Sequence, residues 1–538
     1  MILSPRVRFK SVMDVLVLFT SASDTFQFAS AVVGVAAILV AGFLLWIAFK
    51  NVVLAPWLIS NALQKQGVQG VPYTISLGKL RFAGNSPPST SSAAANLRPH
   101  RTVAPLIAPL YYDWKLKYGD VFLFWVGYRP VLSVSNLEHM KEILYNKSGH
   151  FEKPSLRPDV KDVEGEAVSS LRGERWSIHR RIVSPAFFYD KLKAMTPAIV
   201  DCAKVILDDW ESQIQYKSNK EVNVYDELKA LSADIIARCA FGSSYEEGRR
   251  FFKLQQEQEK VILQVYQSVY IPGVRYLPTK QNRHAWKLKR TIEEIVSEII
   301  EKRGNGYDGT DLLEILMDAN RQEFSQSREK LLSFREIVDE CKLFFYAGHE
   351  TTSTLIAWTF LLLAQNPHWQ EEARKEVLHV CGKGLPTHEN LHGLKVVGMI
   401  LNEALRMYPP APYLIRETVK ETKLGGLSIP RDTMFLLPII DFQFDRALWG
   451  DDVHDFNPQR FADGIGNACK ASAAYAPFSM GPRNCLGQSF AMLESRAIVA
   501  MTLQRFTFTV SPGYIHCPIA TFTLRPQYGI QIIFKKLE

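Results

Sequence analysis

A run without a single charge, Thr25 to Phe49 (TFQFASAVVGVAAILVAGFLLWIAF), constrains this chain more than any other stretch. As a helix rising ~1.5 Å per residue it reaches about 37 Å, enough to cross a hydrocarbon core of about 30 Å with some tilt. Inside lipid the backbone must satisfy its own polar groups, which leaves a helix as the only form a lone segment can take. Lys50 closes the run, and Trp46 and Trp57 suit a membrane interface. The run is longer than the ~7–15 residue apolar region of a secretory signal peptide. Arg6, Arg8 and Lys10 precede it, and Lys50, Lys65 and Lys79 follow, so charge alone does not set an orientation. We read 1–24 as an N-terminal extension, 25–49 as a transmembrane anchor, 50–100 as linker and hinge, and 101–538 as one large domain.

With 47% hydrophobic residues in 538, the remainder can bury a large core. The net charge of +8 is mild and lacks dense basic clusters, which argues against a nucleic-acid partner. Cysteines stand at 202, 239, 341, 381, 469, 485 and 517. Their odd number and the lack of any CxxC pair fit neither a disulfide framework nor a zinc finger, and a reducing compartment follows. Asn85–Pro99 (NSPPSTSSAAANLRP) reads as a flexible loop, and Asp120–Ser135 as a β-hairpin turning near Gly127. Helical periodicity dominates after Ser184, and strand-like runs return at Thr433–Ile439 and in the tail. The expected fold is mainly α with small β-sheets. Gly304–Gly309 (GNGYDG) matches GxGxxG without the βαβ unit that a dinucleotide needs. It reads as a linker turn, so no nicotinamide or flavin site is expected.

Three stretches carry chemistry. Ser333 to Asn366 reads as one helix, opened by a Ser333/Glu336 capping box and ended by Pro367. Its apolar middle is interrupted by AGHETT (Ala347–Thr352). A mid-helix glycine costs ~1 kcal/mol relative to alanine, and a buried glutamate costs more unless partnered. A polar groove facing a ligand explains these residues. Threonines bonding back to the preceding turn explain them as well. Zinc is disfavoured, because Ser353 stands where HExxH requires histidine. In NEALRMYPP, Glu403 and Arg406 lie three apart on a helix ended by Pro409 and Pro410. Taken alone, the pair reads as a surface contact worth ~0.3 kcal/mol.

The third stretch is FSMGPRNCLG, Phe478–Gly487. Gly481 and Gly487 permit backbone conformations closed to other residues. LGQSFAMLESRAIVAMTLQRF then reads as a helix, so Cys485 sits at or just before a helix start. The partial positive charge there, with Arg483, favours a thiolate. A thiolate in a dry, positive nest suits axial ligation of haem iron; an inert buried cysteine is the alternative.

Together the three resemble the cytochrome P-450 superfamily of haem-thiolate monooxygenases. Phe478, Gly481, Arg483, Cys485 and Gly487 match its FxxGxRxCxG signature in full. Glu403 and Arg406 match ExxR, Ala347, Gly348, Glu350, Thr351 and Thr352 match [AG]Gx[DE]T[TS], and Trp176 and Arg180 match WxxxR. FNPQRF (Phe456–Phe461) resembles the PERF segment with Gln459 in place of glutamate, and retains Arg460. The resemblance covers roughly Arg101 to Glu538. Ser232–Gly248, Ile271–Arg283 and Ser511–Gly529 narrow it to the plant clan that oxidises hormones, terpenoids and fatty acids. The family's proline-rich hinge is reduced here to Gly67–Tyr73, which leads us to expect a looser one.

The resemblance implies haem (iron protoporphyrin IX) with Cys485 as the iron ligand and Trp176, Arg180, Arg416 and Arg483 holding its propionates. It implies Phe478 in the haem-binding loop, and Glu350 and Thr351 as a proton relay in oxygen activation. It implies an NADPH-cytochrome reductase as electron donor, a small hydrophobic substrate, and a single-pass anchor in the endoplasmic reticulum membrane with a cytosolic catalytic domain. Pocket walls are expected at Val163–Ser169, Phe344–Ala347, Ala411–Leu414 and His516–Ile519. Two rivals stand beside this reading: a haem-thiolate isomerase or dehydratase that uses peroxides, and a haem-binding membrane protein without turnover. Retention of Glu350 and Thr351 speaks against the first.

Overall fold

The computed structural model describes residues 30–73 and 103–537, apart from positions 31, 37, 41, 44, 48, 218, 243, 244, 268, 269, 271, 272, 303–310 and 319–331. The N-terminal extension, the Asn85–Pro99 loop and the GxGxxG match at Gly304–Gly309 lie outside the described residues.

Helix α1, Val32–Gln64, is long and apolar enough to cross a membrane, and its most apolar stretch is not buried by the rest of the chain. It does not end at Lys50. A π-helical turn, Lys50–Leu54, carries it into a further helical segment, Ala55–Gln64. The cause of the turn is local. Pro56 has no N–H to give the carbonyl of Val52, four residues back. The Tyr73 hydroxyl donates to that carbonyl instead. Leu63 is fully buried and packs with Val68, Leu123 and Leu437. Gln66 exchanges two hydrogen bonds with the backbone of Ser428, at 2.9 and 2.6 Å. Gly70 pairs with Leu123 as an isolated parallel bridge. The approach is so close that a side chain at Gly70 would fall on the Leu123 backbone. Gly67–Tyr73 is therefore docked on the catalytic domain rather than loose, because its backbone pairs with Leu123 and Val68 is buried.

Strands β1 (Val121–Val126) and β2 (Arg129–Val134) form the expected hairpin, with Gly127 at φ +62 in the turn. The short strand β3 (Phe151–Glu152) follows, then helices α2 (Pro158–Glu164) and α3 (Gly173–Val183). Strand β4 (Lys220–Asn223) leads into α4 (Val224–Phe241) and α5 (Tyr245–Gln267). Helix α6 (Phe334–Gln365) begins at the expected capping box of Ser333 and Glu336. Helix α7 (Lys395–Met407) precedes β5 (Tyr413–Thr418) and β6 (Met434–Pro438). Helix α8 (Gln488–Arg505) runs directly into β7 (Phe506–Val510). The tail supplies β8 (Pro518–Ala520), β9 (Leu524–Pro526) and β10 (Gln531–Lys536).

The largest sheet has the order β1-β2-β6-β5-β3 and lies beside the helical body. All five residues of β6 are buried, as a central strand requires. The other sheets are three-stranded, β4-β10-β7, and two hairpins, β8-β9 and the pairing of Thr422–Leu424 with Leu427–Ile429. The main hydrophobic core gathers around α6, against which α4, α7 and α8 pack. Within it Trp358 lies flat on Tyr408, ring centroids 4.2 Å apart. The observed fold is thus mainly helical with small sheets, as expected.

Candidate active site

The cysteine loop is shaped by one glycine more than by the other. Gly481 has φ +72, and a side chain there would strike the backbone of Leu144. Gly487 has φ −85, open to any residue, and an added Cβ would meet only Phe187, at 3.8 Å. The expectation of a special backbone at both positions holds at Gly481 alone. The Cys485 N–H donates to the Phe478 carbonyl at 2.9 Å and closes the loop two residues before the cap of α8. Burial raises the Cys485 thiol pKa, and the Gly487 backbone and Arg180 offset only part of that rise. Coordination to a metal cation removes a thiol proton outright.

A cavity of about 310 Å³ separates this loop from α6. Of the predicted site residues, Cys485, Phe478, Arg483, Trp176, Arg180 and Thr351 all line it. Glu350 and Arg416 do not. Of the expected walls, Val168, Ser169, Phe344, Ala347, Ala411 and Leu414 line it, whereas His516–Ile519 is absent from it. The reason is packing: His516 lies edge-on to Trp358, and Pro518 and Ile519 are paired in the β8–β9 hairpin. At Gly348 an added Cβ would sit 2.9 Å from the Ile236 side chain, which would have to shift where α4 crosses α6.

Cations crowd one end. The Arg483 guanidinium lies 4.3 Å over the Trp176 ring and pairs with Glu152 at 2.5 Å. Its buried Nη1 has no hydrogen-bond partner among the described residues. Arg180 holds the loop by donating to the Asn484 carbonyl and to its side-chain oxygen, at 2.7 and 2.8 Å. Arg416 is fully buried just outside the cavity wall. Burial first, then the nearby Arg483 charge, lower its pKa to about 10. Lys153, which sequence reasoning missed, stands in the wall. Burial, Arg416 and Arg483 together lower its pKa to about 7. Glu152 pairs with Arg483 and offsets part of the repulsion on Arg416, whereas Lys153 meets only like charges, and an anionic group placed among the three would relieve their repulsion. The donor set fits haem: a thiol facing the cavity for iron, and excess positive charge for two propionates.

Glu350 and Thr351 point different ways. The Thr351 hydroxyl donates back to the Ala347 carbonyl at 2.7 Å and lies in the cavity wall beside Thr352. Glu350 is 1% exposed on the other side of α6. Its carboxylate accepts from the Tyr225 and Thr523 hydroxyls, at 3.2 and 3.1 Å, and pairs with Lys229 at 2.6 Å. Burial opposes its charge. Lys229, then His349 and Thr523, outweigh that opposition and hold its pKa below the ordinary carboxylate value.

The Glu403–Arg406 pair is a buried structural element, contrary to the surface contact it suggests in isolation. Both side chains are fully buried and joined by two parallel bonds of 2.7 and 2.8 Å. Arg406 also donates to the carbonyls of Gln443 and Val453. Arg460 approaches Glu403 at 3.5 Å and pairs with Asp452 at 2.7 Å. The network fixes the segment 443–460 against α7.

Among small groups that bring a metal, few need one thiol on one side and several cations on another. An iron macrocycle with two carboxylates does, and the class defined by this fold and site is the haem-thiolate proteins. Residues 107–534 match the sequence model of the family described as Cytochrome P450. Similar curated proteins include Cytochrome P450 CYP72A219 of Panax ginseng, 41% identical over 93% of this chain and 98% of that protein. Cytochrome P450 734A1 of Arabidopsis thaliana is 39% identical over 90% and 92%. Secologanin synthase 1 of Catharanthus roseus is 39% identical over 90% and 93%. The chain belongs to the cytochrome P450 family, on its plant branch, and is a haem-dependent monooxygenase.

Proposed function

We propose that this monooxygenase hydroxylates a small hydrophobic molecule of the terpenoid, isoprenoid hormone or fatty acid class, with electrons from an NADPH-cytochrome reductase. One oxygen atom enters a C–H bond and the other leaves as water. The observation that carries this reading is a single cavity bounded by Cys485 on one side and by Thr351 and apolar walls on the other. Haem, when bound, supplies the chemistry that activates dioxygen. Cys485 would hold its iron, with Phe478 in the same loop, and Arg483, Arg416, Arg180, Trp176 and Lys153 would hold the propionates. Thr351 presents a hydroxyl that passes a proton into the cavity; Glu350, the other residue expected in the relay, faces the far side of α6, where Lys229 holds it. Val168, Phe344, Ala411 and Leu414 exclude water and pack an apolar skeleton. One relative is named as a synthase of secologanin, which supports a small-molecule substrate. Helix α1 anchors the chain once in the endoplasmic reticulum membrane, with the catalytic domain cytosolic; its exposed apolar length supports this.

The test is reconstitution of the full chain in vesicles with an NADPH-cytochrome reductase. Isoprenoids and fatty acids are first screened by the spin shift of the ferric haem, and products of those that bind are then identified. NADPH-dependent hydroxylation is the expected result. Rearrangement of an organic hydroperoxide without NADPH, and no hydroxylation with it, would favour the isomerase.

A further inference from the structure

Between α2 and α3 the chain from Gly165 to Val168 belongs to no helix or strand, so its amides must find partners elsewhere. The Gly165 N–H closes α2 onto the Lys161 carbonyl at 3.0 Å. The next three amides all go to side chains. Glu166 N–H donates to Asp339 at 3.0 Å, Ala167 N–H to the Ser170 hydroxyl at 3.4 Å, and Val168 N–H to Glu340 at 2.8 Å. Two consecutive carboxylates of α6 thus take alternate amides of the segment. The fit is close at Gly165, where φ is +86 and a side chain would fall on the Asp339 carboxylate. Val168 then stands in the wall that also holds Cys485 and Thr351.

Glu340 carries more than this one amide. Residues eleven apart on a helix differ by only about 20° in direction. Glu340 therefore lies on the stripe of α6 that continues through the cavity-lining Phe344, Ala347 and Thr351, although it is not itself in the wall. Its side chain is fully buried, as is that of His179 on α3. Arg175 approaches His179 Nε2 at 3.3 Å. A guanidinium only donates, so Nε2 accepts and Nδ1 carries the ring proton. Nδ1 donates it to the same Glu340 oxygen, Oε1, at 2.6 Å. One buried oxygen thus joins α6, the Val168 wall and α3, the helix that brings Trp176 and Arg180 to the cavity. The other oxygen, Oε2, has no partner among the described residues. Burial raises the Glu340 pKa, and His179 and the Val168 amide offset only part of that rise. The surroundings disfavour charge here, and what the junction uses is an acceptor.

We infer that Glu340 is a positioning residue of this monooxygenase, whose Oε1 clamps the Val168 wall and α3 to α6 and so sets how firmly the cavity retains a bound molecule. It acts through Val168 and His179. The inference rests on the proposed reading of the cavity as the haem and substrate chamber.

The test uses the full haem-loaded chain and two readouts. Hydrogen exchange follows the Glu166 and Val168 amides, with α8 as the reference. The Soret band follows release of two haem-binding azoles, imidazole and the far bulkier clotrimazole. Glu340→Leu keeps the size and removes the acceptor. It should speed Val168 exchange by more than about tenfold, the effect of losing a hydrogen bond to a charged group, and leave Glu166 and α8 unchanged. Clotrimazole release should quicken several-fold and imidazole release should not. Glu340→Gln keeps an acceptor for both donors and should return both readouts to the wild-type values, which a role in charge alone would not allow. Unchanged Val168 exchange in Glu340→Leu overturns the inference, as do unchanged clotrimazole release and failure of Glu340→Gln to rescue. Should Glu340→Leu fail to fold, Val168→Ala cuts back the wall and leaves the carboxylate in place. It should release clotrimazole faster than wild type, and an unchanged rate there overturns the inference as well. If imidazole gives wild type no Soret shift, the chamber reading fails instead, and hydrogen exchange, which needs no haem, still decides whether Glu340 holds Val168.

Discussion

Lys229 of α4 and Glu350 of α6 meet at 2.6 Å inside the protein, on the side of α6 turned away from the cavity. The pair joins the two helices that cross beside the site, and it determines which way the acidic residue of the AGHETT stretch faces. Because the Glu350 pKa is depressed, its stabilising contribution is complete above about pH 4.5 and is lost as pH falls through its lower folded value. Lys229→Met leaves the carboxylate without its ammonium partner. The variant should lose about 3–5 kcal/mol at neutral pH. Without Lys229, burial raises the pKa of the carboxyl, so the deficit should begin to shrink as pH falls through that raised value and close only below the depressed wild-type one. Melting temperatures of both proteins from pH 4 to 8 check this, and a constant gap would show that the pair does not govern it.

Arg406→Ala removes the centre of the network behind α7. Glu403 is left buried and short of its partner, at a cost of about 3–5 kcal/mol. Little haem-loaded protein should accumulate, read as haem per mole of protein. Normal haem content would contradict the buried role assigned here.

Cys485→Ser should abolish the red-shifted Soret band of the reduced carbon monoxide complex, since a serine hydroxyl does not ionise as a thiol does. The fold should persist, because the Cys485 backbone bond to Phe478 does not depend on the side chain. Circular dichroism and the carbonyl spectrum, measured on one sample, separate the two effects. A retained band would exclude Cys485 as the ligand.

Thr351→Ala should keep haem and substrate binding and lower the product formed per NADPH, with oxygen diverted to peroxide or water. Thr352 lies in the same wall, so the double variant is the cleaner measurement. Positioned proton donors contribute ~10²–10⁴-fold to rate. Unchanged coupling in the double variant would remove both hydroxyls from the proposed proton path.

Sequence reasoning reached the parts of this protein that are specified locally. The hairpin at Asp120–Ser135 is legible because apolar strands flank one glycine turn, and α6 because a capping box and a proline bound it. The cysteine loop is legible because its residue types are chemically unusual together. What escaped depends on contacts between distant segments. Lys229 lies far from Glu350 in sequence, and only the packing of α4 on α6 pairs them. Neighbours on a helix are turned about 100° from each other, so adjacency of Glu350 and Thr351 could not say that one faces the cavity and the other does not. Lys153 carries no periodic or motif signal, and becomes conspicuous only beside Arg416 and Arg483. His516–Ile519 was expected in the wall because its segment matched the family, but strand pairing draws it away.

The continuity of α1 with the docked segment after it has a mechanical consequence. Leu63 is buried in the domain, Tyr73 holds the Val52 carbonyl, and Gly70 is bound to β1. A spanning helix tilts when its apolar length exceeds the bilayer's. With α1 in a membrane and no slack behind it, that tilt is handed to the whole catalytic body. Under the proposed anchoring, membrane thickness would be converted into an angle, and that angle would decide which part of the protein surface rests against lipid.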